Sequence, residues 1–218
     1  MKTAEAKKTG LKENFPSMGK ISELLDTGKR HKISTLNWKD KGFTYMPDVD
    51  FSIAYSDNEI FIKYFVTEEY FKAEKTESNQ NVYEDSCVEF FVSPENDGIY
   101  YNFEFNALGT CLMGSGHSRA DTTRVDPAII SRIRRLPQPG IRPTTETKGK
   151  FSWTLTVAIP FDAFFHHKVT GLKGKTLRAN FYKCGDMLTV PHFVTWNAVV
   201  TENPDYHRPE FFGEVKFI

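Results

Sequence analysis

The densest chemistry in this chain lies in the run Val82-Tyr83-Glu84-Asp85-Ser86-Cys87-Val88-Glu89-Phe90-Phe91-Val92. Its apolar residues read as a strand, whose side chains alternate between two faces. Val88, Phe90 and Val92 point one way, and Cys87, Glu89 and Phe91 the other. Glu89 therefore sits mid-strand on an otherwise apolar face, where a carboxylate needs a partner, a metal or a polar ligand. Near the C-terminus the Pro-bounded loop Asn203-Pro204-Asp205-Tyr206-His207-Arg208-Pro209-Glu210 adds an amide and a second aromatic. Two aromatic rings, a fixed carboxylate and an amide are groups that cover the apolar face of a pyranose and bond its hydroxyl rim. Each also has a structural role open to it. Glu89 can pair with Arg132, Arg134 or Arg135, Tyr83 can cap its strand, and Asn203 before Pro204 is a common turn choice.

The surrounding pattern is that of an all-β chain. Phe51, Ile53 and Tyr55 alternate, Ser56-Asp57-Asn58-Glu59 turns, and Ile60, Ile62, Tyr64 and Val66 return, so residues 49–66 read as a hairpin. Residues 67–82 are charged and read as a loop. Tyr101, Phe103 and Phe105 form the inner face of a further strand, with Asn102 and Glu104 opposite. Residues 114–127 read as a long loop, and 129–136 as a strand carrying three arginines outward. Trp153, Leu155, Val157 and Ile159 give the cleanest alternation, followed by a short helix at Phe161–Phe165. Leu177–Tyr182 and Gly213–Ile218 complete an antiparallel β-sandwich with short peripheral helices. Residues 1–36 are polar and Lys-rich, with a short helix near Ile21–Leu25. They read as a leader packing late or not at all onto a domain spanning 37–218.

Composition narrows the partners. The 218 residues carry 28 Lys+Arg against 28 Asp+Glu, so no global field favours nucleic acid or an anionic membrane. Aromatics reach 14 %, with 19 Phe and 9 Tyr, which suits sheets. The apolar runs are too short to span a bilayer, and Met1–Lys8 shows no signal-peptide core, which leaves the compartment open. Cys87, Cys111 and Cys184 match no zinc spacing, and Cys87 and Cys111 read as small buried thiols.

Four stretches in order resemble family-nine carbohydrate-binding modules, within the DOMON-like, jelly-roll-like β-sandwiches. They are Tyr83–Phe91, Tyr101–Gly109, Trp153–Phe161 and Arg178–Tyr182, with His207–Gly213 adding a fifth. The resemblance implies two curved sheets and a site for a mono- or disaccharide, often a glycan's reducing end. It assigns the aromatic clamp to Tyr83 and Tyr206, and the hydroxyl-binding groups to Glu89 and Asn203. Both clamp positions are Tyr where Trp is the better-known choice, and Glu104 falls near a position that is basic in the best-understood members. Glu104 is therefore the departure that bears on ligand choice. The site implied needs no cofactor. Family members can hold structural calcium, for which Asp48-Val49-Asp50 and Asp57-Asn58-Glu59 offer oxygens.

Non-catalytic carbohydrate binding is the reading these residues favour. The alternatives are a carbohydrate-active hydrolase, or an accessory part of one, with Glu89 acting chemically, and a structural sandwich whose sugar site has decayed. A haem site of the kind some DOMON-like relatives have would draw on Met113, His117, Met187 or His192.

Overall fold

The computed structural model describes residues 1–11 and 13–218. They form fourteen strands: β1 (Thr3–Lys8), β2 (His31–Lys32), β3 (Thr35–Leu36), β4 (Asp48–Tyr55), β5 (Glu59–Ala73), β6 (Cys87–Ser93), β7 (Tyr100–Asn106), β8 (Cys111–Gly116), β9 (Thr123–Arg124), β10 (Arg134–Gln138), β11 (Thr144–Pro160), β12 (Thr176–Gly185), β13 (His192–Thr195) and β14 (Gly213–Phe217). Two helices, α1 (Met18–Asp26) and α2 (Pro127–Ile130), and four short 3₁₀ turns lie between them. One layer runs β14-β12-β6-β7-β8-β9 and the other β4-β5-β11-β10, with β1 joining them.

The two layers close on an aromatic core. Phe51 of β4 stacks on Phe181 of β12 with ring centroids 3.6 Å apart, and Trp196 meets both rings edge-on. Phe90 of β6 stacks on Phe181 at 4.9 Å. Burying one such ring contributes about 1.5–3 kcal/mol. The alternation expected of Val88, Phe90 and Val92, and of Tyr101, Phe103 and Phe105, holds, since all six enter this core. Cys87, Phe91 and Tyr100 pack instead into a second apolar cluster on the outer face of the same sheet. That second face carries the candidate site.

Several local expectations are corrected. The N-terminal residues are built into the sheet rather than appended to it. Thr3–Ala6 of β1 pair in parallel with Glu214–Phe217, Lys7 and Lys8 pair in parallel with Ala54 and Tyr55, and Ala4 and Ala6 are fully buried. The sheets are therefore mixed, antiparallel except along β1. Two small alanines among lysines give so weak an apolar signal that the alternation passes for a polar leader. Helix α1 lies where a short helix was expected, with Ser17 accepting from the Lys20 N–H at its start and Ile21 and Leu25 buried against Phe61.

Residues 67–73 extend β5 rather than forming a loop, and pair across β11 from Thr144 to Ser152. Their inward-facing charge hides the strand. Glu68 is buried, accepts from Trp153 Nε1 at 2.7 Å and lies 2.9 Å from Lys183 Nζ, which is itself fully buried. Lys183 also donates to His192 Nε2 at 2.9 Å. Burial, reinforced by Lys183, holds the His192 pKa well below the ordinary imidazole range. Residues 129–136 divide between α2 and β10, because Pro127 opens a helical turn capped by Asp126. His167 is tied to Tyr101 by a 2.8 Å hydrogen bond and faces Asp97 at 3.2 Å.

Candidate functional site

The outer face of the β12-β6-β7-β8 sheet carries a cleft of about 520 Å³. Strand register builds its floor. Glu89 of β6 is paired with Glu104 of β7, so both carboxyls project from neighbouring strands on the same face. Asn102, two residues before Glu104, shares that face and donates from Nδ2 to Glu104 Oε1 at 2.8 Å. Gly114 of β8 makes room for it, since a Cβ there would come within 2.6 Å of Asn102 Oδ1. The walls come from loops that bring Phe43, Tyr83, Arg119, Arg124, Asp186 and His207 to the rim.

Loop placement follows from buried polar latches. Asp85 Oδ2 accepts from the Glu74 and Lys75 backbone N–H groups and from Asn106 Nδ2, each at 2.9 Å, tying the end of β5 to the start of β6. Ser86 adds a backbone bond to Lys72 at 2.8 Å. The Asp-Ser pair of the opening motif thus holds the frame, and Tyr83 and Glu89 on either side face the cleft. The Asp186 N–H donates to Tyr83 O at 2.9 Å, fixing two rim segments to each other.

The floor is electrostatically unusual. Glu89 and Glu104 are 2 % and 4 % exposed, and no cation forms an ion pair with either among the described residues. Arg132 and Arg134, both open to Glu89 in the sequence, pair with Asp162 and Glu59 instead. Burial, then the neighbouring Glu104 carboxyl, holds Glu89 well above the ordinary carboxylate range. Burial pushes Glu104 up to about 7, partly offset by the Asn102 hydrogen bond. Asp186 is raised by burial to about 6. Cys184 Sγ lies 3.1 Å from Glu89 Oε1 and acts as its donor, because burial keeps that thiol protonated. Burial and Arg119 lower His207 to about 4, so at neutral pH it is uncharged. Glu104 Oε2 and Asn102 Oδ1 are buried without any hydrogen-bond partner.

The five residues expected to bind ligand are placed differently. Tyr83, Glu89, Glu104 and Tyr206 line the cleft. Tyr83 is half-buried and packs beside the outer-face cluster. Tyr206 is 6 % exposed, stacks face to face on Tyr182 at 4.0 Å, and donates its hydroxyl to Lys183 O at 3.2 Å. One of its faces is thus already covered. Asn203 is exposed and stands outside the cleft lining, where Pro204 and Asp205 take its place. The amide on the floor is Asn102, which the sequence reading had placed on this face without assigning it a role. Its alternation with Glu104 was the signal.

The acidic turns suggested for calcium face cations in this structure. Asp48 and Asp50 face Lys32, Asp57 faces Lys8, and Glu59 faces Arg134. One cluster, Cys87, Glu89 and Cys184, brings its ligand atoms within 4.8 Å of one another among the described residues, but calcium takes oxygen donors rather than thiols. Met113 is consumed by the main core and His192 by Lys183, which leaves neither free for haem.

The family model for carbohydrate-binding family 9 matches residues 20–217. The chain belongs to carbohydrate-binding family 9. Among solved structures, a "putative carbohydrate-binding protein" from Bacteroides uniformis is 38 % identical, with a TM-score of 0.94 over 100 % of this chain and 99 % of that one. A family 9 module from Caldicellulosiruptor kristjanssonii in complex with glucose shares the fold at 12 % identity and a TM-score of 0.61, covering 100 % of this chain and 96 % of that one. The same organism's module in complex with cellotriose gives 12 % and 0.60, over 99 % and 93 %. No curated protein matches the sequence. No helix among the described residues is long and apolar enough to cross a membrane.

Proposed function

We propose that this family 9 module binds a monosaccharide, disaccharide or glycan end in the Glu89/Glu104 cleft, without transforming it. Tyr83 covers an apolar sugar face, while Glu89, Glu104 and Asn102 take hydroxyl hydrogens. Tyr206, braced on Tyr182, serves as a rigid wall. The observation that carries the reading is the pair of adjacent carboxyls, Glu89 and Glu104, that no cation neutralises among the described residues, set with the Asn102 amide on the floor of a ring-lined cleft. A ligand rich in hydroxyls bonds to these groups, each hydrogen bond contributing about 0.5–1.5 kcal/mol, and more where a carboxyl is ionised. The cleft's volume suits a small glycan, in keeping with the glucose and cellotriose held by the fold relatives. The larger cleft of about 940 Å³ beside Phe15 is less apt, because its Glu59 and Asp162 are already paired with arginines.

Hydrolysis is less well supported. A glycosidase needs two carboxyls driven apart in pKa, one to donate a proton and one to stay ionised. Glu89 and Glu104 are both raised, by burial and, at Glu89, by Glu104. A decayed site is also less apt, since two opposed buried carboxyls without a cation cost stability and a decayed site has no reason to keep them. Titration calorimetry against mono- and disaccharides and their reduced alditols tests the reading. Saturable heat with a sugar and none with its alditol supports a reducing-end site. No heat across the panel rejects the function, and release of free sugar from an oligosaccharide would replace it with the hydrolase.

A further inference from the structure

The cleft floor asks for more than a neutral sugar. Glu89 and Glu104 are directly opposed across adjacent strands, an arrangement in which like charges destabilise a sheet. Asp186 adds a third carboxyl at the rim and Asp205 a fourth. Against them stand Arg119 and Arg124. Arg119 is spent on Asp205, at 3.0 Å. Arg124 is turned to the Asn79 carbonyl and the Asn81 side chain, both at 2.6 Å. His207 accepts or donates only to Tyr100, at 2.7 Å. The cations at the rim are therefore engaged elsewhere, and the Glu89 and Glu104 carboxyls on the floor, 2 % and 4 % exposed, have no cationic partner among the described residues.

Two adjacent carboxyls beside an amide differ from what one hydroxyl satisfies. A hydroxyl donates a single hydrogen, whereas a primary ammonium donates three and carries the charge the floor lacks. We infer that the ligand of this cleft is an amino sugar, whose ammonium group sits between the Glu89 and Glu104 carboxyls, beside Asn102. The inference rests on the carbohydrate-binding reading and narrows its substrate class. Recognition by charge-assisted hydrogen bonds sets the direction of selectivity. The amine is preferred to the parent sugar and to its N-acetylated form, which has lost the charge.

The test is calorimetry of the full chain at about pH 7.5, above the Glu104 pKa of about 7 and below the ordinary range of a side-chain amine. Glucosamine, galactosamine and mannosamine are each set beside the parent hexose and the N-acetyl derivative, all with chelator present. The expected result is one amino sugar bound at least roughly tenfold tighter than its parent, the scale of one charged hydrogen bond. N-acetylation removes the gain. In Glu104→Gln the ratio of the two affinities falls toward one. Equal or tighter binding of the parent hexose overturns the inference and leaves carbohydrate binding standing. Absence of heat from every sugar overturns both. Heat from calcium chloride that abolishes amino-sugar binding overturns the inference in favour of a metal site.

Discussion

Replacing Glu104 with Gln keeps the shape and the acceptor offered to Asn102 but removes a carboxyl whose pKa is raised to about 7. The unfolded chain binds this proton only below the ordinary glutamate range, near pH 4.5. Between those limits the folded state holds more protons than the unfolded state, so the Glu104 contribution is fully present below about pH 4.5 and is lost as pH rises through about 7. Integrating that difference from pH 5 to pH 8 gives about 2–3 kcal/mol. His207, lowered to about 4, works with the opposite sign between about pH 4 and 6.5. The wild-type curve alone therefore mixes the two, and the difference between wild type and variant isolates Glu104. Urea denaturation of both proteins at pH 5 and pH 8 should show Glu104→Gln gaining about 2–3 kcal/mol relative to wild type across that interval, or roughly 4–12 °C in Tm. Relief of Glu89, which the Glu104 carboxyl also pushes up, adds in the same direction. A variant that loses stability relative to wild type as pH rises would refute the reasoning, because it would make the Glu104 carboxylate a paired structural group.

Three further outcomes follow from the same geometry. Tyr83→Ala should weaken sugar binding at least roughly tenfold in calorimetry while moving Tm by no more than about 2 °C, since the ring is only half-buried. Lys183→Met should cost about 3–5 kcal/mol in denaturant titration, because it strands Glu68 fully buried without its 2.9 Å partner. Asp85→Ala removes the acceptor for three hydrogen bonds at once and should cost at least about 3 kcal/mol, with raised amide exchange at Glu74 and Lys75.

What was legible in the sequence was whatever alternates cleanly. Val88-Glu89-Phe90 and Asn102-Phe103-Glu104 declare both a core face and a face with acids on it, and strand register then places Glu89 opposite Glu104. The hairpin at residues 49–66 was readable for the same reason, apolar positions two apart around a polar turn. Elements failed where tertiary pairing overrides local character. Glu68 reads as solvent-facing until Lys183 and Trp153, more than eighty residues away, are known to meet it. The β1 strand rests on two alanines and on parallel partners from both sheets, neither of which leaves a local mark. In the site, the family resemblance assigns ligand contacts to both Asn203 and Tyr206 of one loop. The loop instead turns Tyr206 inward onto Tyr182 and leaves Asn203 at the surface.

The location of binding is the central claim, and amide chemical-shift mapping during a sugar titration tests it most directly. The account predicts that the largest shifts fall on Tyr83, Glu89, Asn102, Glu104, Gly114 and Asp186, which line one cleft. Shifts centred instead on Phe15, Asp57 and Arg132, around the larger cleft on the other side of the core, would contradict it.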